Sequence, residues 1–258
     1  MTALQVRDLR KAFGGIQAVN GVSFDVAHGS LTALIGPNGA GKSTLFNLLT
    51  NLYPSDAGDV TFFGSNLAGK TSDAIARLGL VRTFQTARVF PGMSVRENVL
   101  AGLHVETRVA PWAHALGLST ARREEHALGE RADALLDALG IGELRDRDAM
   151  ALPLGSQKLV ELARALVSRP KLLLLDEPAA GLNESETTEL ARVLLAVHRS
   201  GTTVFIVEHN MSLVMGIADR ILVLDAGTLI ANGTPAEIRA DHAVLEAYVG
   251  RSAAAEMP

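Results

Sequence analysis

The clearest chemistry in this chain sits in one loop, Gly36-Pro37-Asn38-Gly39-Ala40-Gly41-Lys42-Ser43-Thr44. Its spacing is G-x-x-x-x-G-K-[ST], which is the pattern of a phosphate-cradling loop. The glycines let the backbone curl until successive N–H groups face inward at phosphate oxygens. The helix that follows adds the positive end of its dipole. Lys42 is placed to reach the β- and γ-phosphates of a nucleoside triphosphate, and the Ser43 hydroxyl to ligate Mg²⁺.

A second constellation is Leu172-Leu173-Leu174-Leu175-Asp176-Glu177, an apolar run ending in adjacent acids. Asp176 can hold Mg²⁺ through water, and Glu177 can orient and deprotonate an attacking water as a general base. Such a base separates a hydrolase from a phosphoryl-transfer enzyme that must keep water from the γ-phosphate.

The elements needed to position these groups can be read from periodicity. Leu31–Ile35 reads as a strand into the phosphate loop, and Leu45, Leu48, Leu49 and Leu52 as one face of the helix after it. Leu4–Leu9, Val22–Val26 and Val60–Phe63 read as strands, bounded by turn signals at Gly14-Gly15 and His28-Gly29. Asn20-Gly21 fits either a further hairpin turn or a kink within one strand. From about Ser94 to Ala151 strand signals give way to Ala, Leu, Arg and Glu, which predicts a helical insertion. Beyond it come a helix at Gln157–Ser168, the Leu172–Leu175 strand, a helix through Leu190 and Val197, a strand at Thr203–Val207, a helix near Met211–Ala218 and a strand at Ile221–Leu224. Continuous apolar strands alternating with helices imply a parallel sheet covered on both faces. The Ala-rich end, 251–258, is expected to fray.

Composition narrows the function classes. With 258 residues, 48% of them apolar, the chain can bury a large α/β core. It has no Cys, so thiolate and disulfide chemistry is excluded. The formal net charge is −4 and no basic run stands out, which weighs against a nucleic-acid surface. No apolar run reaches the roughly 18 residues of a spanning helix, so a membrane role requires a partner.

Between the two constellations, Leu152-Pro153-Leu154-Gly155-Ser156-Gln157 resembles the signature motif of ABC ATPases, commonly L-S-G-G-Q. Arg82-Thr83-Phe84-Gln85 resembles the family's glutamine loop, Val207-Glu208-His209 its switch histidine, and Phe13 the aromatic ahead of the phosphate loop. The features occur in family order from about Leu4 to Gly250. The resemblance implies a P-loop ABC ATPase fold of the α/β class: a mixed RecA-like core with an N-terminal antiparallel β subdomain (about 1–93 and 152–250) and an inserted helical subdomain (about 94–151). It implies ATP and Mg²⁺ as ligands, with Phe13 on the adenine and residues Gly36 to Thr44 around the phosphates. Gln85 joins Ser43 and Asp176 at the metal, and Lys42, Gln85, Glu177 and His209 serve hydrolysis. Gly155 and Ser156 contact the ATP of a second ATPase subunit across a head-to-tail dimer. Ala180-Gly181-Leu182-Asn183 matches the loop coupling the two sites, and Asn183 can also cap a helix with Glu186. Pro153 departs from the pattern, because it stands where the family usually has a Ser whose hydroxyl binds the γ-phosphate.

Within the family, Val81–Gln85, Phe90–Val99, Asp176–Asn183, Val207–Met211 and the segment Gly233–Gly250 look like the ATPases of bacterial branched-chain amino-acid importers. That implies a peripheral subunit on the cytoplasmic face of the inner membrane. Its partners would be transmembrane permease subunits, a second ATPase (self or paralogue) and, indirectly, a periplasmic solute-binding protein. Leu103, Val105 and Trp112 are candidates for a groove that receives a permease helix. Import of urea or amides, lipopolysaccharide export, a non-transport ABC ATPase and a regulatory nucleotide switch are the alternatives.

Overall fold

The first long strands, β1 (Thr2–Phe13) and β2 (Ile16–Ala27), form an antiparallel hairpin. Asn20-Gly21 is a kink inside β2: Gly21 has φ 72°, and the pairing shifts register between Leu9 and Arg10 opposite it. The computed structural model describes residues 1–83, 89–103 and 118–255. After β3 (Leu31–Ile35), buried at every position, the chain turns through the glycine-rich loop into α1 (Lys42–Leu49). β4 (Ala57–Phe62) then pairs with β1, and β5 (Ser65–Asn66) with β4. This completes an antiparallel sheet of order β2-β1-β4-β5. α2 (Ser72–Leu78) and the short β6 (Leu80–Arg82), neither evident from periodicity, follow.

Next come α3 (Val95–Leu100), α4 (Ser119–Ala138) and α5 (Leu154–Leu166). Ser94 and Glu97 close a capping box on α3, with bonds of 3.2 and 2.7 Å. Arg96 grips Asp133 of α4 through both carboxylate oxygens at 2.8 and 3.1 Å. Such a fork supports orientation as well as energy. Asn98, fully buried, accepts from the Phe90 amide at 2.7 Å and so ties the preceding loop to α3.

The alternation resumes with β7 (Leu172–Asp176), α6 (Glu184–Arg199), β8 (Thr203–Val207) and α7 (Met211–Ile217). β9 (Arg220–Asp225), β10 (Thr228–Gly233), α8 (Pro235–Ala240) and α9 (His242–Ala255) complete the chain. α9 thus carries the helix into the segment expected to fray. The second sheet has the order β10-β9-β3-β8-β7-β6, parallel except for the β9–β10 hairpin. Its central strands are buried throughout, as their unbroken apolar runs require.

The chain divides into two compact units. One comprises Met1–Arg82, Lys171–Ala179 and Thr187–Pro258, and holds both sheets around a core that includes Phe24, Phe46, Phe62 and Phe205. The other comprises Thr83–Pro170 and Ala180–Glu186, and so includes α5 together with the helices of the insertion. Among the described residues, no helix is long and apolar enough to cross a membrane.

Candidate active site

Gly36 leaves the end of β3 with φ 152°, buried so tightly that a Cβ there would lie 2.0 Å from the Leu224 carbonyl oxygen. Gly41 is backed in the same way: a Cβ would lie 2.2 Å from the Ala18 carbonyl oxygen. The rear of the loop is further fixed by the Gly227 amide, which donates to Ala40 at 2.9 Å, while the Asn20 amide donates to Gly227 at 2.8 Å. The loop is therefore clamped between β2 and the β9–β10 turn, with Asn38, Gly39 and Ser43 facing solvent. Pro37 and Thr44 are half-buried, and Ala40 is buried. These contacts make a prediction. Gly36→Ala should weaken ATP binding at least tenfold in a fluorescent-nucleotide titration. Gly39→Ala, whose Cβ meets nothing within 4 Å, should pay only the backbone strain of its φ of 79°, about 1–2 kcal/mol.

Lys42 opens α1 and folds back, its Nζ donating to the carbonyls of Gly36 at 2.7 Å and Pro37 at 3.0 Å. Burial pushes its pKa below the ordinary lysine value, while the negative charges of Glu177 and Asp176 pull it back up. In the sheet β8 alone separates β7, which ends in the acid pair, from β3, which leads into the loop.

Asp176 ends β7 and is buried, its Oδ2 accepting from Arg82 Nη2 at 2.7 Å. Glu177 follows in the left-handed region, with φ 45°, and its amide donates to the Val207 carbonyl at 2.9 Å. A glutamate held at positive φ stores strain that only a firmly set environment maintains, and such strain gathers at functional sites. Its carboxylate lies 3.8 Å from His209 Nδ1, so the structure brings these two together. The His209 side chain is 61% exposed and that of Glu177 19%, so the ring is open to solvent while the carboxylate is largely covered.

Sequence reasoning missed Glu208. It is fully buried, and its carboxylate accepts from three backbone amides: Ala179 at 2.8 Å, His209 at 3.1 Å and Asn210 at 3.3 Å. It thereby joins the loop after Glu177 to the loop carrying His209. An acid directly after the apolar run Val204–Val207 was the available signal. α9 was also missed as a neighbour of the loop. Burial pushes the pKa of its Tyr248 phenol up, and the Gly36 backbone pulls it back down.

Phe13 closes the β1–β2 hairpin opposite Ile16. It is 45% exposed, has Lys11 Nζ 5.5 Å from its ring centroid and meets Tyr53 edge-on at 5.9 Å. Gln85 lies outside the described residues, as do Val105 and Trp112. Leu103 is buried, so it belongs to the packing of its own unit and not to an exposed groove.

The signature-like segment lies in the second unit. α5 begins at Leu154, three residues before the expected start, with Pro153 as its N-cap. Gly155 and Ser156 therefore stand in its first turn, where backbone amides lack intrahelical acceptors. A Cβ on Gly155 would lie 2.7 Å from Glu186 Oε1. Glu186 and Asn183 cap each other reciprocally, each amide donating to the other's side chain at 3.0 Å. Asn183 is thus a capping residue, as its spacing to Glu186 predicted.

Adjacent parallel strands deliver Lys42, Asp176, Glu177 and His209 to their carboxyl ends, where ligands bind in open α/β sheets. With the phosphate-cradling loop between β3 and α1, that arrangement defines a P-loop nucleotide hydrolase. Residues 19–180 match the family model described as ABC transporter, and residues 228–254 the one described as branched-chain amino acid ATP-binding cassette transporter. The high-affinity branched-chain amino acid transport ATP-binding protein LivG of Salmonella typhimurium is 43% identical, over 96% of this chain and 98% of that protein. BraF of Pseudomonas aeruginosa, named for the same transport, is 41% identical over 96% and 98%. A crystal structure of the ADP conformation of an ABC transporter's ATP-binding cassette superposes with a TM-score of 0.84 at 34% identity, covering 97% of this chain and 99% of that one. The chain belongs to the ABC transporter family, as one of its ATP-binding, ATP-hydrolysing subunits.

Proposed function

We propose that this chain powers import of branched-chain or closely related hydrophobic amino acids, as a peripheral ATPase on the cytoplasmic face of the inner membrane. One observation carries the hydrolytic reading: Glu177, strained at the end of β7, lies 3.8 Å from His209 and electrostatically beside Lys42. The solute class is supported by the family match of residues 228–254, the β10-to-α9 segment, and by the names of the relatives. Both favour this branch over lipopolysaccharide export and over non-transport ABC ATPases.

In this reading the loop amides and Lys42 bind the β- and γ-phosphates, and Phe13 stacks on the adenine. Asp176 and Ser43 offer a carboxylate and a hydroxyl, the hard oxygen donors that suit Mg²⁺, with Gln85 as a further candidate. Mg²⁺ bound there would neutralise charge on the β- and γ-phosphate oxygens. Glu177 takes a proton from the attacking water as that oxygen forms its bond to the γ-phosphorus, and the ADP oxygen leaves. His209 holds the γ-phosphate and keeps Glu177 in line.

The first-turn amides of α5, with Gly155 and Ser156, complete the site of a second ATPase subunit in a head-to-tail dimer. Pro153 fits this role as an N-cap, because an N-cap amide makes no intrahelical bond. Pro153→Ser should therefore change steady-state ATP turnover of the transporter complex by less than roughly a hundredfold, about 2.7 kcal/mol in barrier.

ATP binds the closed dimer more tightly than the open one, and that differential affinity is the work passed to the permease. The helical insertion, about 94–151, together with the Gln85 segment would transmit it. The deciding experiment is to tag the chain, solubilise membranes of its host gently and identify what co-purifies. Two multi-spanning permease subunits and a second ATPase are expected, with ATPase stimulated by a solute-loaded binding protein. Recovery with ribosomes, with DNA or alone from the soluble fraction would overturn the transport reading.

A further inference from the structure

Arg82 closes β6 and is paired in register with Leu174, two residues before Asp176 on the neighbouring strand. Residues two apart share one face of a strand, so the arginine lies along the surface that ends in Asp176. Its Nη2 donates to Asp176 Oδ2 at 2.7 Å, with only 10% of one side chain and 7% of the other exposed. Its Nη1 donates to Asn47 Oδ1 at 2.7 Å and to the Thr50 hydroxyl at 3.4 Å, and the guanidinium lies 5.8 Å from the Phe46 ring centroid. Phe46, Asn47 and Thr50 belong to α1 and its C-cap, the helix that grows from the phosphate loop. Arg82 is thus a fixed charge, held from three sides, that neutralises the carboxylate.

We propose that Arg82 is a built-in counter-charge for the metal-binding site, keeping free divalent cations off Asp176 until nucleotide phosphates arrive. The inference rests on Asp176 being a metal-binding carboxylate. The pair Arg82–Asp176 carries no net charge, so a lone divalent cation gains little from the carboxylate and is repelled by the guanidinium. Both effects are large where water is scarce and screening weak. Mg²⁺ also gives up its hydration reluctantly and is usually held by one or two carboxylates plus substrate phosphates. Among the described residues, no group of three or more His, Asp or Glu side chains could hold a metal alone. The charge that overcomes Arg82 must then come with the triphosphate, which makes metal entry dependent on nucleotide. Because Arg82 acts through Asp176, its removal should show in the absence of ATP.

The test follows Mn²⁺ binding by electron paramagnetic resonance, and thermal unfolding against MgCl₂, on the full-length chain. Wild type should bind Mn²⁺ at Asp176 at least a hundredfold more tightly with the non-hydrolysable analogue AMP-PNP than without it. Without nucleotide, Arg82→Gln should unfold roughly 10 °C lower than wild type, because it leaves a buried carboxylate unpaired. It should recover with Mg²⁺, and bind Mn²⁺ at least tenfold more tightly than wild type. Arg82→Gln/Asp176→Asn, which leaves no unpaired charge, should show neither response. Nucleotide-free wild type binding Mn²⁺ below millimolar, with the binding lost in Asp176→Asn, would overturn the proposal whether or not Arg82→Gln folds. Asp176→Asn leaving Mn²⁺ affinity with AMP-PNP unchanged would overturn the metal-site reading beneath it.

Discussion

Replacing Glu177 with Gln is expected to lower ATP turnover of the assembled transporter by roughly 10²–10⁴-fold, the range of a positioned general base. Nucleotide affinity should stay within about threefold. The substitution keeps size and shape at a residue whose backbone is set by the Glu177 amide bond to Val207 and by its positive φ. Only the proton acceptor is removed. Lys42, which couples to the charge of Glu177, keeps its two carbonyl acceptors in the loop and the charge of Asp176. Binding is therefore spared while chemistry is lost, a fall in kcat with little change in KM. His209→Ala should fall less far, since the ring is largely exposed and acts by holding the γ-phosphate and Glu177 in line. Steady-state phosphate release from wild-type and Glu177→Gln complexes makes the comparison. Equal rates would mean a nucleotide switch in place of an engine.

How much of this site the sequence discloses depends on how local each part is. The phosphate loop, the acids after Leu172–Leu175 and the histidine after Thr203–Val207 are all legible, because each pairs a functional residue with its own strand. β7 and β8 were legible for the same reason: central strands of a parallel sheet must be apolar on both faces. β6 was not, since Leu80–Arg82 becomes a strand only by pairing with Leu172–Leu174. The clamps on the loop were equally hidden. The Ala18 carbonyl and Gly227 are ordinary residues whose meaning arises only when β2 and the β9–β10 turn close behind Gly41 and Ala40. α8 was missed although its signals were present. Pro235 begins the helix, and Thr234 and Glu237 form a reciprocal capping box, the pattern expected at a helix start. α5 begins three residues ahead of Gln157, with Gly155 inside its first turn. A Cβ on Gly155 would lie 2.7 Å from Oε1 of Glu186, which stands far along the chain and whose carboxylate also accepts from the Asn183 amide.

Glu208 shows what such non-local pairing does for the chemistry, and it supplies the second large effect. Glu208→Ala is expected to lower the melting temperature by roughly 10 °C and turnover by roughly 10–10²-fold, with smaller losses in Glu208→Gln. The alanine leaves three amides without their acceptor, that of Ala179 in a buried place and those of His209 and Asn210 in partly buried ones. Each orphaned donor costs about 1–3 kcal/mol, and a domain of this size loses about 2–4 °C per kcal/mol. The catalytic loss has a separate cause. Oε1 holds the segment two residues after Glu177, and Oε2 holds the segment that starts at His209. Without the carboxylate, the segment after Glu177 and the segment carrying His209 lose the acceptor that ties them together, so the 3.8 Å approach of His209 is loosened although the Glu177 amide keeps its bond to Val207. Misplacing a base by about 1 Å is enough for losses of this order. Glutamine keeps one acceptor oxygen but turns an NH₂ toward amides that also donate, so it restores one loop and not the other. Unfolding curves measured beside kcat at a temperature where all variants are folded separate the two effects. A Glu208→Ala protein with reduced stability but undiminished kcat would reduce the residue to a fastening of the fold. A parallel fall in kcat, partly rescued by Gln, makes this buried carboxylate the group that holds base and histidine in register.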